Sequence, residues 1–240
     1  MLKQRSVYFV LLFGLLGTCL VSLRLGTVSI ASNQLMHLLF KPFGYSSSVE
    51  VSIAQETVFW SIRLPRVLFG VLIGIALGSA GTALQGIFRN PLVDSGLIGI
   101  ASGASLFASA FILLFSVVPM LVLGSPQLTL ATVAFFGAAL TALLVYRIAL
   151  SHGKINTVLL ILAGVALNAL SGSLTGLLTF FADDKQLRDL TFWTLGSLSG
   201  ANWTNVSVLT LFVLLPFAVL LRTSTSLNAF ALGESQAHSV

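Results

Sequence analysis

The sequence predicts an all-α fold, a polytopic transmembrane helical bundle of about six spans. Three observations predict it. Of 240 residues, 56% are hydrophobic and only 8% charged, with a mean hydropathy of +1.01, where a soluble domain carries about 25% charge. The charges fall between uncharged apolar runs, each near the roughly 20 residues that cross a bilayer. Within those runs glycines recur at four-residue spacing, and the short alternating segments of a membrane barrel do not occur.

The first run, residues 6–23, follows Lys3 and Arg5. It is longer than a signal peptide's apolar region, and no small-residue cleavage site precedes Arg24, so it reads as a retained span. Cys19 inside it has no second cysteine to pair with and reads as a small apolar residue. Residues 26–62 are polar and mixed. Within them Ile30–Leu39 carries apolar residues at helical spacing and predicts a helix lying along the membrane surface. The second span is 67–88, between Arg66 and Arg89. Gly70, Gly74 and Gly78 strip one of its faces, with Gly81 behind them, which predicts close helix packing within the chain. Gly99/Gly103 and Gly172/Gly176 repeat the spacing.

Residues 95–146 hold no charge and are too long for one span. Pro119, Gly124, Ser125 and Pro126 divide them into spans 95–118 and 127–146. Ahead of them, Asn90-Pro91 makes a turn, and Asp94-Ser95-Gly96 is placed to open the third span. The fifth span is 155–182. Asp183–Leu195 predicts a short amphipathic helix with acids in its first turn, where the helix dipole favours them. Gly196–Asn202 reads as a turn, with Trp193 and Trp203 suited to a membrane interface. The sixth span is 203–221, and 231–240, within the closing segment 226–240, reads as a short polar helix after a turn. The chain is read as a single transmembrane domain, 1–240.

The formal charge of +5 comes without a basic stripe interleaved with aromatics, which argues against nucleic acid. The 12 lysines and arginines divide evenly between the two sides of a six-span chain, so the count leaves orientation open. His37, His152 and His238 lie outside the spans, with no partner at ligand or catalytic spacing. Asp183, Asp184 and Asp189 allow one enzymatic alternative, a Mg²⁺-dependent intramembrane prenyltransferase holding a diphosphate. Against it, the cluster stands alone, beside Lys185 and Arg188. No metal or cofactor site is predicted. There is no phosphate-binding glycine loop, and the spans almost lack the acids that couple transport to ions. The chain therefore reads as the membrane part of a machine driven from outside the membrane. One stretch stands out: "RLPR", residues 63–66, sets two cations at the mouth of the second span, where each needs water or a partner.

Three long stretches carry a resemblance: "RLPRVLFGVLIGIALGSAGTALQGIFRNPLVDSGLIGIASGAS", "LLILAGVALNALSGSLTGLLTFFADDKQLRDLTFWTLGSLSGANW" and "LNAFALGESQAHSV". Together they resemble the FecCD-type permeases, membrane subunits of binding-protein-dependent (type II) ABC importers for ferric siderophores, haem and vitamin B12. The resemblance covers about residues 62–240. It implies about ten spans, of which this chain holds six, so the chain corresponds to the N-terminal part of a longer domain. It also implies a bacterial inner-membrane protein with a cytoplasmic N-terminus. The implied partners are a pair of cytoplasmic ATPase subunits, a periplasmic substrate-binding protein, a second permease copy forming a homodimer, and membrane lipid. Arg63 and Arg66 would then dock acids of the binding protein. Leu232, Gly233, Glu234 and Ser235 would belong to the helix that couples to the ATPase, and Asn156 and Thr157 to a cytoplasmic gate. Asn168, Ser171, Ser173 and Thr175 would line the path. The implied cargo is an iron complex, haem first on the "DDKQLRDLTFWTLGSLSG" run, with vitamin B12 as the alternative.

Overall fold

The computed structural model describes residues 2–45, 49–115, 125–151 and 153–232. Among them run ten α-helices: α1 (Leu2–Arg24), α2 (Ser32–Phe40), α3 (Ile53–Val58), α4 (Leu64–Phe88), α5 (Ile100–Phe115), α6 (Pro126–Ala149), α7 (Thr157–Phe181), α8 (Asp184–Leu195), α9 (Trp203–Arg222) and α10 (Ser224–Leu232). A π-helical turn, Phe59–Arg63, fuses α3 to α4, so one helix runs without a break from Ile53 to Phe88. The only strands among the described residues are the pair β1 (Leu150–Ser151) and β2 (Lys154–Ile155), antiparallel, with Leu150 opposite Ile155.

Five helical stretches are long and apolar enough to cross a membrane: Arg5–Arg24, Ile53–Phe88, Pro126–Ala149, Thr157–Phe181 and Trp203–Arg222. The third predicted span differs. Among the described residues its apolar helix covers Ile100–Leu114, and residues 116–124 lie outside the described set. It also starts later than predicted. Asp94 Oδ1 accepts the amides of Gly96 (2.7 Å) and Leu97 (3.1 Å) and closes a single turn. Gly99, at φ +82°, then redirects the chain before α5 begins. A left-handed residue cannot continue a helix, and glycine adopts that conformation without a Cβ clash.

The sequence reads as one domain, whereas the contacts divide the chain into two compact units. The first holds residues 1–77 and 198–219. In it Leu23, Ile30, Leu35, Leu38 and Phe59 form a buried cluster, flanked by Leu39, Val51, Trp60, Leu64 and Val67. The helix expected over Ile30–Leu39 is α2, Ser32–Phe40. Leu35 and Leu38, one turn apart on α2, face protein, because Leu23 and Phe59 cover them. Further along, Leu72 of α4 packs with Val206 and Val213 of α9. Most large side chains of α1 are exposed, Tyr8 and Val10 by about 70%. A helix apolar on every face is suited to lipid.

The second unit holds residues 78–197 and 220–240 and is built on α5, α6 and α7. Its buried centre is Ile98, Val145 and Ala163. Backbones meet closely at single glycines. A Cβ on Gly164 would lie 2.2 Å from the Leu97 carbonyl oxygen, and one on Gly103 would lie 2.0 Å from Thr141 Oγ1. The Gly70/Gly74/Gly78 stripe behaves differently from the prediction. Gly70 has a Leu198 methyl at 3.8 Å, while a Cβ on Gly74 or Gly78 meets nothing within 4 Å, nor does one on Gly172 or Gly176. Their spacing marks a smooth face, but that face is not a close contact within the described residues.

Candidate functional site

The stretch that raised the question lies at the start of α4, and the structure separates its two arginines. Arg63 is 8% exposed. Its Nη1 donates to the carbonyls of Leu23 (2.9 Å) and Arg24 (2.8 Å), and its Nη2 donates to the carbonyl of Val28. Leu23 and Arg24 are the last two residues of α1, whose carbonyls have no helical partner of their own. A cation there also faces the negative end of the helix dipole. Arg66, three residues on, is exposed. It has no hydrogen-bond or ion-pair partner among the described residues.

Pro65 explains the odd local geometry. In a regular α-helix its ring would press on the carbonyl four residues back, and it has no N–H to donate. The π-turn widens the helix at this point, with Leu64 N–H reaching the Phe59 carbonyl. The next bond in that register would run from residue 65 to the Trp60 carbonyl, and proline cannot make it. Trp203 supplies the missing donor: its Nε1–H lies 2.9 Å from the Trp60 oxygen. Nearby, Gln34 and Gln55 join the starts of α2 and α3. Gln55 Nε2 donates to the Ser29 carbonyl (2.9 Å) and Gln34 Nε2 to that of Glu50 (3.0 Å). Lys41 pairs with Glu56. Gln34, Gln55 and Lys41 thus hold the segment between α1 and α4 together.

In the second unit the gate candidates sit where the β1–β2 hairpin enters α7. Asn156 is the N-cap of that helix, its Oδ1 accepting the amides of Val158 (3.0 Å) and Leu159 (3.1 Å), and Thr157 is the first helical residue. Of the path candidates, Asn168, Ser171 and Thr175 share a face of α7, and Ser173 points elsewhere. Asn168 Nδ2 donates to the Gly96 carbonyl (2.7 Å), and Ser102 Oγ donates to Asn168 Oδ1. Asn168 therefore ties α7 to the turn before α5. Ser171 is buried. Thr175 Oγ1 is a buried oxygen without a partner among the described residues. Ser173 is exposed and bonds back to the Ala169 carbonyl (2.9 Å). A path along one face of α7 can therefore use three of the four, not Ser173.

Asp183 is the N-cap of α8: its Oδ1 accepts Gln186 N–H (2.8 Å) while Gln186 Oε1 accepts Asp183 N–H (2.9 Å). Among the described residues no three His, Cys, Asp or Glu side chains group as metal ligands would. Of the coupling residues, Leu232 ends α10, and Gly233, Glu234 and Ser235 lie outside the described residues, as do His152 and His238. Sequence reasoning missed Gly26, which faces the Arg63 guanidinium, and the Trp203 indole. Pro65 was the available signal for the second, since a proline within a helix leaves a carbonyl in want of a donor.

A chain with five helical stretches among its described residues long and apolar enough to span a membrane is a polytopic membrane protein. It belongs to the FecCD transport family, whose model matches residues 14–240. It is 37% identical to the hemin transport system permease protein HmuU of Yersinia pestis, over 95% of this chain and 65% of that protein. It is 34% identical to the cobalamin import system permease protein BtuC of Halobacterium salinarum, over 82% of this chain and 51% of that one. It is 32% identical to the molybdate import system permease protein MolB of Haemophilus influenzae, over 98% and 67%. A solved structure described as an inward-facing conformation of a metal-chelate type ABC transporter superposes with a TM-score of 0.78 at 28% identity, covering 98% of this chain and 67% of that one. The chain thus spans between half and two thirds of the length of these relatives.

Proposed function

We propose that this chain belongs to the permease subunit of a bacterial ABC importer that moves an iron complex, haem first, across the inner membrane. The permease itself is not an enzyme in this reading; a pair of cytoplasmic ATPase subunits hydrolyses ATP. The N-terminus is cytoplasmic, which puts the head of α4 on the periplasmic side, and two permease copies form the path between them. Gly233, Glu234 and Ser235 follow Leu232 into the coupling segment, and Asn156 and Thr157 stand at the cytoplasmic gate.

One observation carries the reading: Arg66 is exposed and has no partner among the described residues, near the start of α4. A carboxylate of a periplasmic binding protein is the complement that fixes register and speeds encounter. Haem is placed first because one relative, at 37% identity, is the hemin transport permease HmuU. A corrinoid is the second reading, supported by vitamin B12 permeases of Klebsiella pneumoniae and Vibrio cholerae at 35% and 36% identity. The test is uptake into cells carrying the complete importer, with haem, a ferric siderophore and cobalamin supplied in turn. Haem alone should accumulate, and Arg66→Glu should abolish that accumulation while leaving permease abundance unchanged. Cobalamin accumulation instead of haem would reassign the cargo. Full haem uptake by the Arg66→Glu importer would remove the docking role.

A further inference from the structure

We propose that Arg63 is a positioning residue: it clasps the end of α1 and the turn after it to the π-turn that leads into α4, and so sets where Arg66 stands. The proposal adds to the docking reading, which gives the position of Arg66 its meaning, but the clasp itself stands on geometry.

Arg63 reaches three carbonyls, of Leu23, Arg24 and Val28, from 35 to 40 positions away in the chain. A planar guanidinium can serve several diverging acceptors at once, which a lysine ammonium on a flexible stem does less well. Gly26 lies under the guanidinium. A Cβ there would stand 2.6 Å from Nη2 and 3.1 Å from Cζ. The end of an arginine can ordinarily swing aside from such a contact. Here swinging aside means breaking bonds to carbonyls that have no helical donor. Glycine at position 26 and arginine at 63 therefore form one device. The link to Arg66 is short and stiff, because only Leu64 and the buried Pro65 intervene, and the proline ring fixes its own φ. Moving Arg63 moves the base from which Arg66 projects.

Two measurements on the full chain in native membrane vesicles test this, and neither needs a binding protein. The first is modification by phenylglyoxal, read by peptide mass spectrometry. Arg66 should react about tenfold or more faster than Arg63, because a buried, bonded group reacts only through local opening. Gly26→Ala should bring Arg63 toward the rate of Arg66. The second is the line shape of a nitroxide at position 66, using Arg66→Cys with Cys19→Ser. Arg63→Gln and Gly26→Ala should each change that line shape in the folded protein, well below its unfolding temperature. A residue that only adds stability would lower the unfolding temperature and leave the label unmoved. If Arg63→Gln is not recovered from membranes, Gly26→Ala and Arg63→Lys read the same point. Equal phenylglyoxal rates at Arg63 and Arg66 in the unaltered chain would overturn the clasp. Protection of Arg63 with an unchanged label at position 66 in the variants would overturn the positioning role. Failure of Arg66→Glu to affect uptake would overturn docking alone, so the two readings fail separately.

Discussion

Replacing Trp203 with phenylalanine removes one N–H and keeps most of an aromatic ring. The structure predicts that its cost depends on a residue far away in sequence. Pro65 leaves the Trp60 carbonyl without a helical donor, and the Trp203 indole lies 2.9 Å from that oxygen. A neutral hydrogen bond contributes a net of about 1 kcal/mol, and stranding a buried acceptor costs about 1–3 kcal/mol. Trp203 is 45% exposed, so water can partly replace the indole and the lower end applies. Trp203→Phe should therefore cost about 1 kcal/mol through this bond, roughly fivefold in the folding equilibrium, plus whatever the smaller ring loses in packing. Pro65→Ala restores an N–H to the helix, which can then satisfy its own carbonyl. In that background Trp203→Phe should cost only the packing part. The double-mutant cycle isolates the bond as a coupling of about 1 kcal/mol. The assay is loss of helical circular dichroism at 222 nm during titration of detergent-solubilised chain with denaturing detergent. An identical cost of Trp203→Phe in both backgrounds would refute the idea that the indole stands in for the missing proline N–H.

Three further outcomes follow from the same geometry. Gly164→Ala should lower folded yield and cost at least about 1–3 kcal/mol, because its Cβ would lie 2.2 Å from a backbone oxygen that cannot swing away; Gly172→Ala, in open space, is the control and should be near neutral in the same titration. Asp183→Ala should lose the reciprocal cap of α8 at about 1 kcal/mol, while Asp183→Asn keeps it; equal loss in both would mean that charge, not capping, is the contribution. Asn168→Leu leaves the Gly96 carbonyl without its donor and should cost about 1–3 kcal/mol, with faster amide exchange across residues 94–99 as the local signature.

Much of the helical organisation was legible because the bilayer imposes a length and the charges mark its limits. Arg66 and Arg89 mark the expected limits of the second span, and its helix ends at Phe88 beside Arg89 but begins at Ile53. Charge cannot report where a helix starts outside the lipid, and Ser52, whose Oγ accepts the Gln55 amide, was the cue that polarity concealed. The glycine repeats differ among themselves. Four-residue spacing describes a face, whereas close approach depends on what stands opposite. Gly99 and Gly103 share that spacing and do meet neighbours, while Gly137 and Gly164, which also meet backbone or side chains, belong to no such repeat. Arg63 and Arg66 look equivalent in "RLPR", and only the return of the chain end after α1 distinguishes them.

That distinction extends to most polar side chains singled out in this chain. In an apolar medium every backbone N–H and C=O needs a partner, and helices fail to supply one at their ends and irregularities. Arg63 serves the end of α1, Trp203 the proline in the fused helix, Asn156 and Asp183 the starts of α7 and α8, and Asn168 the turn before α5. Each has an architectural reason to be there, so none by itself points to transport. A functional polar group is better sought among those with no backbone to serve. Arg66, exposed and unpartnered among the described residues, meets that criterion at the mouth of a span. Thr175, whose buried hydroxyl has no partner among the described residues, meets it within α7. Thr175→Val keeps the shape and removes the oxygen. If that oxygen serves a passing cargo, the variant should fold at least as well as the unaltered chain, since an unpartnered buried hydroxyl stabilises nothing, and uptake by the complete importer should slow. Undiminished uptake with unchanged stability would leave Thr175 as packing alone, and Arg66 as the stronger of the two candidates.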